Sequence, residues 1–157
     1  MRLTQQDYAI ANRIIHHRDI YPMITDDYAD PNHTQLGTFF LTQPTIWLVH
    51  PSEHVLLMTV PRTMVVHEVH TMIEPEGRGK QAVKDVQAAA KWYFENEGRC
   101  EKIITYVPFH NKPAYSFAKI VGMKDEGVCT KSFKKNGVLL DQWVLGLEKE
   151  AFLCRQS

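Results

Sequence analysis

At 157 residues, with 44% apolar and 23% charged residues and no formal net charge, the chain has the size and balance of one globular domain with a core of its own. Zero net charge argues against a broad nucleic-acid or membrane surface, and no apolar run approaches the length of a bilayer span. The cysteines, Cys100, Cys129 and Cys154, are scattered and odd in number, which excludes a disulfide frame or zinc knuckle and fits a reducing cytoplasm.

Thr4 with Asp7 forms the pattern of a capping box, and Tyr8, Ala11, Ile14, Ile15 and Arg18 follow at helical spacing. The polar start of the chain does not read as a secretory leader. Residues 21–27 read as a short second helix, broken by the turn at Asp30-Pro31-Asn32. Phe39, Phe40 and Leu41 either cover a sheet or wall a pocket. Residues 45–50 and 55–60 are predicted strands, and 64–73 a third. Residues 81–97 read as a helix with Val83, Val86, Ala90, Tyr93 and Phe94 on one face and Gly98 ending it. A strand over 102–107 and a helix over 112–121 follow, with Pro113 tolerated in the first turn. Residues 128–133 and 138–147 form a predicted hairpin across Asn136-Gly137. The order implies one mixed α/β domain, with an antiparallel meander feeding a βαβ-like segment. Its N-terminal helices occupy 1–44, its core 45–147 and its tail 148–157.

Between the third strand and the long helix lies Met72 to Val83, M-I-E-P-E-G-R-G-K-Q-A-V. A glycine–basic–glycine–basic turn at a helix N-terminus suits an anion. The first helical N–H groups have no intrahelical partners, and the helix dipole places partial positive charge there. The expected guest is a phosphate or pyrophosphate.

Two motifs in order resemble the GNAT superfamily of acetyl-CoA-dependent N-acetyltransferases. Glu76-Gly77-Arg78-Gly79-Lys80-Gln81 is similar to that family's phosphate-cradling signature Q/R-x-x-G-x-G/A. Asn111-Lys-Pro-Ala114-Tyr-Ser-Phe117-Ala118-Lys-Ile-Val-Gly122-Met123 is similar to its N-x-x-A-x-x-L-Y-x-x-x-G-F. The resemblance implies a mixed, mostly antiparallel sheet flanked by helices. It would be splayed between the family's fourth and fifth strands, here 64–73 and 102–107. Acetyl-CoA would lie in the splay, its pantetheine paired with backbone at Met72, Ile73 and Glu74. Its pyrophosphate would sit on N–H groups of Gly77, Arg78, Gly79, Lys80, Gln81 and Ala82, with Asn111 helping to hold the cofactor. The oxyanion of acetyl transfer needs a donor such as a backbone N–H near Ile73.

The chain departs from the family at three positions. Glu76 puts negative charge near a negative ligand, and Gln81 brings a side chain where the family keeps Gly or Ala. Ala118 replaces the tyrosine that protonates the leaving thiolate, leaving Tyr115, one turn earlier, as the substitute acid. Candidate bases are Glu68 and His70, two apart on a strand and so on one face. His67 and His70 point to opposite faces and do not make a metal site.

Asp26, Asp27 and Asp30 are either a solvated loop or a greeting for a cationic amine. The implied function is acetyl transfer to an amine, small molecule or protein, by a monomer or homodimer. The alternative is a non-catalytic phage virion or head-assembly protein that keeps the fold with a degenerate cofactor site.

Overall fold

The structure, a computed structural model, describes residues 1–156. Six strands form one sheet in the order β1-β2-β3-β4-β6-β5. They are β1 (Trp47–Ser52), β2 (Val55–Pro61), β3 (Val66–Ile73), β4 (Lys102–Pro108), β5 (Lys124–Lys135) and β6 (Val138–Glu148). Every neighbouring pair is antiparallel except β3 with β4. That parallel pair registers only from Val66↔Lys102 to Glu68↔Ile104. Beyond Glu68 the two strands part, although β3 runs on beside β2 to Ile73 and β4 beside β6 to Pro108.

Strand alternation divides the core in two. Val49, Val55, Leu57, Val69, Ile103, Val107, Leu145 and Leu147 face α4 (Lys80–Asn96), α5 (Lys112–Val121) and α6 (Lys149–Gln156). Leu48, Leu56 and Met72 face α1 (Tyr8–Ile15), α2 (Tyr21–Ile24) and α3 (Leu36–Leu41). No helix is long and apolar enough to cross a membrane among the described residues.

Several boundaries differ from the sequence reading. The second helix stops at Ile24, because Thr25 turns extended and the next carboxylates cap other backbone. Asp26 accepts the Tyr28 N–H at 2.9 Å, and Asp27 accepts those of Asn136 and Gly137 at 2.7 Å each. Helix α3 was not expected, being six residues long with a glycine inside. It forms because Gly37 lets it lie against α1, where a Cβ would stand 2.6 Å from the Asn12 nitrogen. Asn12 Oδ1 then accepts the Thr38 N–H at 3.2 Å, and its Nδ2 donates to the Thr38 hydroxyl at 2.8 Å. Strand β5 starts four residues before the predicted 128, through a polar stretch whose register slips at Gly127, φ 139°. The tail 148–157 contains α6, whose Phe152 enters the core; Ser157 lies outside the described residues. The Asn136-Gly137 turn is as expected, with φ of 52° and 78°.

Candidate active site

The parting of β3 from β4 opens a cleft of about 760 Å³, in the size range of small-molecule sites. Its walls come from both strands, from α5 and from the segment 18–24. The backbone edge of β3 toward β4 lacks a strand partner from Val69 to Ile73, so an extended ligand can add there. Met72 and Ile73 line the cleft.

Glu74 departs from the expectation. Its N–H donates to the His54 carbonyl at 3.0 Å and its own carbonyl accepts from Gly77 at 2.9 Å. Its carboxylate is buried, paired with Arg13 and 2.9 Å from His54 Nδ1. Glu74 therefore ties β3 to α1 and the β1–β2 turn, and offers the ligand nothing.

The phosphate end is smaller than the motif implied. A turn of 3₁₀ helix, Pro75–Gly77, consumes the N–H groups of Gly77 and Arg78, which donate to the Glu74 and Pro75 carbonyls. Gly77 is needed for its neighbour instead, since a Cβ there would sit 2.5 Å from His54 Cβ. The open donors are those of Gly79, Lys80, Gln81 and Ala82 at the start of the 17-residue α4. Gly79 has φ 112° with clear space around its missing Cβ, a cradle only glycine supplies. Arg78 lines the cleft beside this N-terminus. Of the two departures here, Gln81 turns along the helix and donates to Asp85 at 2.8 Å, leaving the cradle clear. Glu76 is exposed, where solvent screens its charge. Asn111 caps α5 by accepting the Ala114 N–H at 3.2 Å, and it also lines the cleft.

Glu68 and His70 come together on the α1 side of the sheet. His70 Nε2 lies 3.1 Å from Glu68 Oε1, while Arg62 holds Oε2. Burial pushes the Glu68 carboxyl up, but the hydrogen bonds and charges of His70 and Arg62 outweigh it and hold the group below the usual carboxylate range. Glu68 is thus an ionised orienting group, buried at 4% exposure, whereas the His70 side chain is 37% exposed and lines the cleft. With Nε2 toward the carboxylate, Nδ1 faces away from it. His67 points the other way, its Nδ1 2.6 Å from the buried Tyr93 hydroxyl. The described residues hold no cluster suited to a metal ion.

Tyr115 is not placed to act as the acid. Its hydroxyl donates to Asp125 at 2.9 Å, its ring lies 4.4 Å from Trp143, and it does not line the cleft. The hydrogen bond to Asp125 raises its pKa further. Ala118, at the family's tyrosine position, does face the cleft with only a methyl group. The sequence reading missed Tyr106. It alternates with the core residues Ile103 and Val107, so it shares the sheet face of Glu68 and His70, and it lines the cleft across the splay. The signal was present as a tyrosine in a strand flanking the expected splay.

A sheet that opens at its one parallel pair, with a helix N-terminus at one end of the opening and a Glu–His pair on its rim, has the GNAT fold. Three solved structures make the likeness concrete. Mutant forms of the spermidine/spermine N-acetyltransferase SpeG from Vibrio cholerae match with a TM-score of 0.76 and 18% identity over 100% of this chain and 96% of that one. The same enzyme in complex with CoA and spermine matches at 0.75 and 18%, over 98% and 96%. A ribosomal-protein-S5-alanine acetyltransferase from Vibrio fischeri matches at 0.75 and 13%, over 97% and 93%. None of these three is a virion or head-assembly protein, and the comparisons lend that alternative no support. No family model and no curated protein sequence matches the chain.

Proposed function

We propose that the protein is an N-acetyltransferase that moves the acetyl group of acetyl-CoA directly to a primary amine. One observation carries the reading. A single cleft joins an unpaired β3 edge, Arg78 beside the open N-terminus of α4, and the Glu68–His70 pair. The residues fit acetyl-CoA: strand-like edge for the pantetheine, cradle and cation for the pyrophosphate. The enzyme from Vibrio cholerae, which shares the fold, holds CoA and spermine. The three free cysteines fit a cytoplasmic setting, where acetyl-CoA is met.

Acetyl-CoA, when bound, supplies an activated thioester acetyl group. The chain supplies proton management and position. His70 Nδ1 takes the proton of the attacking amine, while Glu68 fixes the ring through Nε2 and steadies the imidazolium that results. Tyr106 replaces the missing tyrosine of α5 as the hydroxyl that delivers a proton to the departing sulfur. The open edge of β3 and Asn111 orient the cofactor.

The test is amine-dependent release of free CoA thiol. His70→Ala is expected to slow it by about 10²- to 10⁴-fold while acetyl-CoA binding persists. Wild-type protein that binds acetyl-CoA yet releases no thiol with any amine would overturn the reading.

A further inference from the structure

The acceptor half of the cleft is walled by apolar side chains and carries almost no unspent negative charge. Segment 18–24 crosses above the splay on the His70 side and reaches the β5–β6 hairpin. Lys135 Nζ pins it by donating to the Pro22 and Thr25 carbonyls at 2.6 and 2.7 Å, and the Asp27 N–H donates to the Lys134 carbonyl at 3.1 Å. The wall this builds is Pro22, Met23, Ile24, Pro108 and Phe133. The Phe133 ring is held flat by stacking on His110, centroids 5.9 Å apart at 25°.

Two carboxylates line the cleft among the described residues, Asp19 and Glu68. Glu68 is spent on Arg62 and His70. Asp19 is partly balanced by Arg18, whose Nε lies 3.8 Å away. Asp26, Asp27 and Asp30, the acidic residues closest in sequence, do not line the cleft and accept backbone N–H groups instead.

From this balance we infer that the acceptor is a primary monoamine on an apolar or aromatic body, not a polyamine; the inference rests on the acetyltransferase reading above. A single ammonium finds Asp19 on entry and loses its proton to His70 before attack. The further ammonium groups of a polyamine would lie against Met23, Ile24 and Phe133 without a counter-charge, giving up hydration against apolar surface for no compensating contact. A hydrocarbon or ring body meets those same side chains favourably.

The experiment compares phenethylamine, spermidine and a short peptide with N-terminal alanine as acceptors for the full chain. Acetyl-CoA binding is measured by calorimetry on the same preparation. We expect kcat/KM for phenethylamine to exceed the other two by at least about tenfold, the scale on which apolar pockets discriminate. Met23→Asp, which adds a carboxylate to the wall, should narrow that ratio. Spermidine or the peptide used equally well or better overturns the acceptor class, as does thiol released with some other amine while none of the three is acetylated. An unchanged ratio in Met23→Asp overturns it too. Absence of acetyl-CoA binding instead overturns the acetyl-transfer reading beneath it, so the two failures are told apart.

Discussion

Both carboxylates that matter are buried, and each is shared between a guanidinium and an imidazole. Glu68 divides its oxygens between Arg62 and His70, and Glu74 is held by Arg13 and His54. In each, burial pushes the carboxyl up, and hydrogen bonds from the paired His and Arg pull it down further. Both therefore bind fewer protons in the folded chain than in the unfolded one. Their stabilising contribution is complete above the unfolded glutamate pKa of about 4.3 and is lost as pH falls through the lower folded values. Urea unfolding from pH 7 downward should show this acid loss. Glu74→Gln should lower stability at pH 7 by about 1–3 kcal/mol and flatten the acid slope; an unchanged slope would contradict the assignment. Under the proposed mechanism Arg62 acts on His70 only through Glu68, whose Oε2 it holds. Arg62→Gln is expected to lower kcat while KM for acetyl-CoA holds, and a loss of folding stability with kcat unchanged would indicate a merely structural role.

Among the elements, α3 and the turn before α4 show where the sequence was hard to read. The long α4, with its apolar face, and α5, with its proline start and glycine stop, are marked by local chemistry that acts within one element, and α5 matches its predicted bounds. Helix α3 depends on a partner 26 residues away, through Asn12 and Thr38, and on the bare α-carbon of Gly37. Nothing local in Leu36–Leu41 announces that. Gly37→Ala should push α3 off α1 and cost about 1–3 kcal/mol, measured by denaturant unfolding. Gly98→Ala, with open space around its α-carbon, should be neutral or gain a few tenths of a kcal/mol. Equal effects at the two positions would refute the close α1–α3 crossing. The glycine–basic turn was legible as the entry to a long helix. The division of labour within it was not, because Gly77 answers to His54 and Gly79 alone stays free for a ligand. The surroundings of Glu74 were hidden for the same reason, since its partners Arg13 and His54 are distant in sequence.

Taken whole, the molecule is an open sheet whose interruption lies in its interior, with both outer edges guarded. The N-terminal residues cover β1, with Leu3 donating to the Leu48 carbonyl and His50 to that of Met1. Slips in register at 125–127 and 129–133 break up β5 as a template for a further strand. The sheet's class and its splay followed from element order and two motifs. The acceptor side did not, because segment 18–24 reaches its place through contacts with a hairpin more than 100 residues on. The proposed function requires this opening to hold acetyl-CoA with Arg78 at its phosphate end. Calorimetric titration of the full chain with acetyl-CoA tests it most directly, beside the Arg78→Ala variant. We expect saturable binding in the micromolar range, weakened about 10- to 100-fold in the variant, as loss of one charge-assisted hydrogen bond implies. No binding at millimolar acetyl-CoA, or equal affinity in the variant, would contradict it.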